Sequence, residues 1–379
     1  MNVIEIIVIK IKGVVEMADY LGNKGEWSEV YVFLYLLAAG HLYAADAELN
    51  KIDSTYYNIA KIFRDEDFGN LEFCINKSDA VIYIKMANTE NVIATIPMKK
   101  FDSYARFLLE HLQSKNKSVF AVPEVESFLK KLHVDKLKAK SVSKSDIHIQ
   151  IHDIKAGLNL IQGFSIKSRL GAPSTLINAS KSTNFIYEVI GQLSVTDIQK
   201  INDCKSFTDK FALLNAVNCR LNYLTMENPI FEGNLILIDS FLPQVCAHLL
   251  LEYYQGDLSA VDDLLNLIEN INPLNYNLTL GHPFYRYKFV KFLSECALGM
   301  KPSQAWNGVI DATGGYIIVK ENGDVVCYHI FKRNEFEQYL LKNTKFETPS
   351  TSKHDFGKIF TDANGRNLMK LNLQVRFTK

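Results

Sequence analysis

The sequence predicts an α/β fold with a central mixed sheet flanked by helices, and three stretches carry that expectation. Residues 146–153, DIHIQIHD, alternate isoleucines with polar side chains as a half-buried strand does. A turn over 155–159 then returns the chain into a second apolar run, LIQGFSIKS, at 160–168. GYIIVKENGDVVCYHI, residues 315–330, reads as a hairpin with Asn322-Gly323 at its turn. EWSEVYVFLYLL, residues 26–37, begins polar and becomes apolar on every side, the pattern of a helix entering a core.

The remaining elements follow in chain order. Residues 1–16 fit neither a signal nor a transit peptide, and they read either as an edge strand or as a non-native extension ahead of a start at Met17. The intact mass of protein made from its native gene distinguishes the two. Residues 79–97 read as a hairpin around Asn88-Thr89-Glu90-Asn91, and 102–114 and 124–133 as amphipathic helices. Lys136 to Ser145 is rich in lysine and serine without an apolar period, which predicts a linker between a 17–135 region and a 136–379 region holding the catalytic core and the recognition surface. Helices are expected between 188 and 271, with LILI at 235–238 and VCAHLLLEYY at 245–254 buried. A short helix over 333–343 and a last strand, LMKLNLQVRF at 368–377, close the chain, and no internal repeat is visible.

Composition narrows the class. With 379 residues, 47% of them hydrophobic and 22% charged, the chain can bury a sizeable core and lacks the signature of disorder. The six cysteines form no CxxC pair, which predicts reduced thiols in a cytoplasmic protein, and no apolar run reaches the roughly 20 residues of a membrane helix. Lys+Arg and Asp+Glu both total 42, so an anionic partner must be held by a local patch. Eight basic residues face two acidic ones over 136–183, four face twelve over 188–272, and ten face five over 332–379. Two basic segments flanking an acidic one suggest two polyanion-facing surfaces, although solvated faces produce such blocks too.

The strand–turn–strand of 147–168 places Asp153 at the end of one strand and Lys167 on the next. That arrangement resembles the hairpin of PD-(D/E)xK nucleases, in which carboxylates hold a hard divalent cation and a lysine stands beside the attacking water. Asp153 would bind the metal and Lys167 would activate water. The position two before the lysine, ordinarily a carboxylate, is Ser165, so a further oxygen ligand must come from elsewhere. Glu29 is the candidate: the resemblance to these nucleases, several of which use a glutamate from the helix preceding the core sheet, implies one there, and GEWSE at 25–29 offers Glu26 and Glu29 on one face of the first helix. Each member has a plain alternative. An aspartate ending a strand is commonly a turn residue, glutamates in a first helical turn are favoured by the dipole, and His148 and His152 fit as outward strand residues. No P-loop, HExxH, GxSxG or zinc-spaced Cys/His cluster is present.

Five blocks then make the pattern specific. GFSIKSRLGAPSTLINASKSTNFIY at 163–187 resembles the HpaII-type family of type II restriction endonucleases, as do NKGEWSEVYVFLYLLAAGHLYAADAELNKI at 23–52, GGYIIVKENGDVVCYHI at 314–330, ETPSTSKHDFGKIF from 347, and KLNLQVRF at 370–377. The resemblance implies a restriction endonuclease-like core and Mg²⁺-dependent cleavage of double-stranded DNA at a short palindrome, with CCGG the expected target. A methyltransferase acting on the same site is implied as a partner, and a homodimer would match a palindrome. It implies a metal-dependent site of Asp153, Lys167 and Glu29, with Ser165 where a carboxylate is usual and Gln162 as an alternative lining residue. A structure-specific repair or junction nuclease, or a DNA-binding protein that no longer cuts, remain the alternatives.

Readout is expected just beyond the catalytic strand. Arg169 suits guanine O6 and N7, and Asn178, Ser180, Thr183 and Asn184 suit base edges or phosphates. In the last strand Asn372, Gln374 and Arg376 share a face opposite Leu371, Leu373 and Val375, either lying in a groove or forming a solvent-facing edge. Lys136, Lys138, Lys140 and Lys181 suit phosphate contacts, where charge matters and identity does not.

Overall fold

The computed structural model describes residues 20–67, 69–115, 117–138, 145–153 and 158–378, with Asp153 and Leu158 described by their backbone alone. The reading of residues 1–16 lies outside these, as do Lys140 and most of the expected linker.

The first helix, α1 (Lys24–Ala39), starts where Asn23 can cap it. The Asn23 side chain accepts from the backbone N–H groups of Gly25 and Glu26, while the Glu26 carboxylate accepts from the Asn23 N–H. Gly40 ends the helix in the left-handed region at φ 67°. Trp27, Val30, Val32, Phe33, Leu34, Leu36 and Leu37 are all buried, so α1 is a core helix as its apolar sequence predicts.

After it come β1 (His41–Ala45), β2 (Lys51–Glu66), β3 (Gly69–Asn76), β4 (Val81–Met86) and β5 (Val92–Pro97), then α2 (Met98–Ser114) and α3 (Pro123–Lys131). The expected 79–97 hairpin is the β4–β5 pair. Next is the antiparallel pair β6 (Ile147–Asp153) and β7 (Leu158–Ser168), followed by β8 (Thr175–Ile177) and β9 (Asn184–Ile190). Helices α4 (Val195–Asp203) and α5 (Phe207–Ala216) lead to β10 (Arg220–Met226), and α6 (Pro229–Ile238), α7 (Leu242–Gln255), α8 (Val261–Ile271) and α9 (Phe284–Leu298) follow. The last part holds β11 (Gly315–Val319), β12 (Val325–His329), α10 (Arg333–Lys342), β13 (Thr344–Phe346), α11 (Thr351–His354), β14 (Ile359–Thr361), β15 (Asn367–Asn372) and β16 (Val375–Phe377).

The large sheet runs β1-β12-β11-β7-β6-β2-β3-β4-β5 and is mixed: β7 pairs parallel with β11 and β1 parallel with β12, while the other neighbours are antiparallel. Because β1 also pairs with β2, six strands close into a ring. Two smaller sheets, β10-β9-β15-β14 and β13-β16-β8, complete the strands. The β11–β12 hairpin is buried on both faces. Tyr316, Ile318, Val326 and Tyr328 belong to one apolar cluster, and Ile317, Val319, Val325 and Cys327 to the other. A strand pair serving as the wall between two cores has to read as a continuous apolar run, and this one does.

Two expectations are corrected. The last strand is interrupted at Leu373-Gln374 and divides between two sheets, so Asn372 is buried while Gln374 and Arg376 are only half-buried. In LILI only Leu235 is buried; Ile236 and Leu237 are exposed, because one face of α6 points outward.

Candidate active site

The antiparallel register of β6 and β7 decides which groups can meet. Ile147 faces Phe164 and Asp153 faces Leu158, so the strand end at residue 146 lies beside Ser165. Asp153 sits at the turn end of the hairpin. Its partner Leu158 is nine residues along β7 from Lys167, or roughly 30 Å at the rise of a strand. Asp153 therefore cannot share a site with Lys167, and the aspartate that does is Asp146, which sequence reasoning passed over. The signal was present: counting back from the turn pairs Asp146 with Ser165.

Asp146 Oδ2 accepts from the Ser165 hydroxyl at 3.1 Å and from the Ile166 backbone N–H at 2.8 Å. Lys167 Nζ in turn donates to Ser165 Oγ at 3.0 Å and lies 5.2 Å from the centre of the Tyr316 ring. Ser165, buried on β7, thus links ammonium to carboxylate through one oxygen. Burial holds the Lys167 ammonium below the ordinary lysine range, opposed by the carboxylates of Asp146 and Glu29.

Glu29 approaches from α1. Its carboxylate Oε2 is buried with no hydrogen-bond partner, and burial, reinforced by Asp146, pushes its carboxyl up to about 7. Glu26 is spent on the helix cap, which leaves Glu29 as the glutamate of α1 that reaches the site. The Lys138 ammonium lies 3.9 Å from Glu29 Oε1 and 3.8 Å from Asp146 Oδ1.

Three depressions converge on this group. One is lined by Glu29, Lys167, Lys24, Lys115 and Lys117, another by Asp146, Ser165, Lys167, Lys138 and Lys301, and a third by Glu29, Asp146 and Arg64. The second continues along Thr175, Asn178, Ser180 and Ser182. Among the described residues no cluster of three or more His, Cys, Asp or Glu side chains forms a metal site, so the acidic donors here are the pair Glu29 and Asp146.

The expected recognition residues divide. Asn178 and Lys181 are exposed and Ser180 is half-buried, with Asn178 and Ser180 on the cleft wall. Thr183 and Asn184 are fully buried and are corrected to structural residues. Thr183 Oγ1 closes a turn with Ser180, and Asn184 donates to Glu227 and to the His354 carbonyl while accepting from Asn372. Asn372 is 1% exposed and its Nδ2 donates to Asn184 Oδ1 and to the Ser180 carbonyl, so it too is corrected to a structural residue, with its Oδ1 buried and unpartnered. Gln162 accepts nothing from the site: its Oε1 meets His329 Nε2 at 2.7 Å. Lys136 pairs with Asp67 at 2.7 Å. Arg376 pairs with Glu347 at 2.7 Å, yet its Nε, Gln374 Oε1 and Arg169 Nε are buried polar atoms without partners. Arg169 lines a small cavity with Tyr339, Asn343 and Phe377.

Two carboxylates and a lysine at the floor of a lysine-rimmed cleft are the equipment of a phosphodiester hydrolase, and comparison with known proteins identifies the class as type II site-specific deoxyribonuclease. The sequence matches the family described as HpaII restriction endonuclease over residues 23–377. It is 42% identical over 366 residues to the Type II restriction enzyme HpaII of Haemophilus parainfluenzae, covering 94% of this chain and 99% of that protein. No solved structure matches. The chain belongs to the HpaII restriction endonuclease family.

Proposed function

We propose that this chain cuts double-stranded DNA at CCGG in a Mg²⁺-dependent reaction, within a PD-(D/E)xK-type core made of the β6–β7 hairpin, its parallel neighbour β11 and the flanking helix α1. The observation that carries the reading is the chain of contacts from Lys167 through Ser165 to Asp146, with the unpartnered Oε2 of Glu29 beside it.

The donor set fits a divalent cation. Glu29 Oε2 is an orphaned buried acceptor and Asp146 Oδ1 lies beyond hydrogen-bond distance of its nearest ammonium, so both offer hard oxygen atoms of the kind Mg²⁺ takes, with water completing its shell. A bound Mg²⁺ supplies positive charge at the scissile phosphate and makes nearby water more acidic. Lys167 Nζ, its pKa lowered by burial, takes a proton from the attacking water as the water oxygen bonds to phosphorus. The bond to the leaving sugar oxygen breaks, that oxygen takes a proton from solvent, and the resulting Lys167 ammonium stabilises charge on the phosphate. Ser165 fixes where Nζ stands and orients the Asp146 carboxylate. The lysines of the cleft hold the phosphate backbone, while the readout candidates are Asn178 and Ser180 on the cleft wall and Gln374, Arg376 and Arg169, each with a buried polar atom that lacks a partner.

The same reading expects a cognate methyltransferase acting on CCGG, a cytoplasmic location, and two copies on a palindrome related by its two-fold axis. A plasmid digest in Mg²⁺ with EDTA and Lys167→Ala controls, followed by sequencing of the fragment ends, tests it. Discrete fragments whose joined ends share one short palindrome, CCGG, and that are absent from both controls support it. Cleavage at unpaired or branched DNA instead points to a structure-specific nuclease, and a gel shift without cutting in any divalent metal points to a binder that has lost the reaction.

A further inference from the structure

Lys138, one of the lysines lining the cleft, lies within 4 Å of both carboxylates, closer than a phosphate contact alone requires. Its position is built rather than incidental. The chain leading to it is tied down by the buried Arg64–Glu66 ion pair: Arg64 Nη2 donates to the Lys136 carbonyl at 2.8 Å, Glu66 Oε2 accepts from the Asp135 N–H at 2.9 Å, and the Tyr20 hydroxyl donates to the Val134 carbonyl at 2.8 Å. Val134 and Leu137 are buried beside these anchors. The ammonium that follows is aimed between Glu29 Oε1 and Asp146 Oδ1 at nearly equal distances, 3.9 and 3.8 Å, without a hydrogen bond to either.

We propose that Lys138 is a resident counter-ion of the Glu29–Asp146 pair: it holds the place a divalent cation takes, and leaves it for a DNA phosphate when the substrate arrives. The inference rests on the reading of Glu29 and Asp146 as the metal-holding pair. Two carboxylates gathered around buried ground repel each other, and a positive charge between them offsets that repulsion. A lysine on a four-carbon stem supplies the charge without dehydrating as a bound metal must. A divalent ion held by Glu29 and Asp146 would repel the ammonium in this partly buried site, so the two cations would compete for the same pair of carboxylates. A phosphate backbone in the cleft gives the ammonium another partner. Metal and DNA are then linked: each raises the affinity for the other, because each removes the competitor or rehouses it. The enzyme without DNA is accordingly a poor metal binder.

The counter-ion role is read without any cleavage, from Mn²⁺ binding to the full-length, DNA-free protein, followed as loss of the free-ion electron paramagnetic resonance signal at fixed ionic strength. Lys138→Met and Lys138→Gln are compared with wild type, with Lys301→Met, which removes another lysine lining the same cleft, and with Asp146→Asn. The expected result is Mn²⁺ affinity raised about threefold or more by both Lys138 variants, a smaller change for Lys301→Met, and a strong loss for Asp146→Asn. If Asp146→Asn leaves binding unchanged, the metal-site reading fails. If Asp146→Asn weakens binding while the Lys138 variants bind no more tightly than Lys301→Met, the counter-ion role is overturned. A Lys138 that merely props the carboxylates apart would give weaker binding on its removal, which overturns it equally.

Discussion

Ser165 bridges Lys167 and Asp146, at the position where the proposed PD-(D/E)xK-type site would ordinarily carry a carboxylate. Its hydroxyl donates to Asp146 and accepts from Lys167, so it substitutes geometry for charge: the ammonium and the carboxylate are held one oxygen apart. Ser165→Ala should therefore leave the fold intact, since the side chain fills little volume, while lowering the cleavage rate by about tenfold to a hundredfold through a misplaced Nζ. An unchanged single-turnover rate would show that the bridge is idle. Glu29 makes the complementary case. Its carboxyl is raised from an ordinary value of 4.5 to about 7, so between those values the folded chain binds more protons than the unfolded one. Its contribution to stability is fully present below about pH 4.5 and is lost as pH rises through about 7. Glu29→Gln removes the buried charge, and the metal-free variant should gain on the order of 1–3 kcal/mol at pH 8, read as a melting temperature a few degrees higher, with no gain at pH 4. Cleavage should be lost in the same protein. Melting temperatures equal at both pH values would place the Glu29 charge in water instead.

At the scale of elements, strands and helices announce themselves while their mutual register does not. The alternation of Ile147, Ile149 and Ile151 and the all-round apolar α1 are local patterns, and both elements stand where periodicity predicts them. Which aspartate meets Lys167 depends on the antiparallel pairing across the turn, a non-local fact, and the choice of Asp153 failed for that reason. Glu26 against Glu29 was likewise undecidable from spacing, because only the cap contact to Asn23 separates them. Thr183, Asn184 and Asn372 look like readout residues because short polar side chains serve equally well as internal hydrogen-bond partners. Their burial comes from β9 pairing with β15 at Asn184 and Asn372 and from the turn at Thr183 that leads into β9, which no local pattern encodes. The wall between the two cores offers a test at this scale. Gly315 pairs with both Phe164 and His329 at φ 101°, and a Cβ there would lie 2.1 Å from the Tyr328 carbonyl. Gly315→Ala should cost several kcal/mol and break β11 from β12, seen as lost amide protection across 315–329. Wild-type protection in that hairpin would contradict the geometry.

For the whole molecule, the balance of 42 basic and 42 acidic residues means that no net field draws the chain to DNA. Attraction must come from lysines close enough to a phosphate to act within a screening length of about 8–10 Å. The cleft supplies them on both sides of Lys167: Lys24, Lys115 and Lys117 on one wall, Lys138 and Lys301 on the other. Lys24 is partly engaged, since its Nζ donates to the Leu170 carbonyl, whereas Lys117 is exposed. A phosphate contact releases counterions whatever the base sequence, while a side chain at a base edge distinguishes one sequence from another. Replacing Lys115 and Lys117 together by glutamine should accordingly weaken binding to a CCGG duplex and to an unrelated duplex by the same factor. The slope of log affinity against log salt should become shallower by about one to two units, near 0.9 for each lost contact. Asn178→Ala should do the reverse, reducing affinity for CCGG alone at an unchanged slope. Titrations of both duplexes at four salt concentrations separate the outcomes. A double-lysine variant that loses only its preference for CCGG would move readout to the α1 side of the cleft. One that changes neither affinity nor slope would take the DNA path off that wall and leave it to Lys138, Lys301 and the strand end at Asn178.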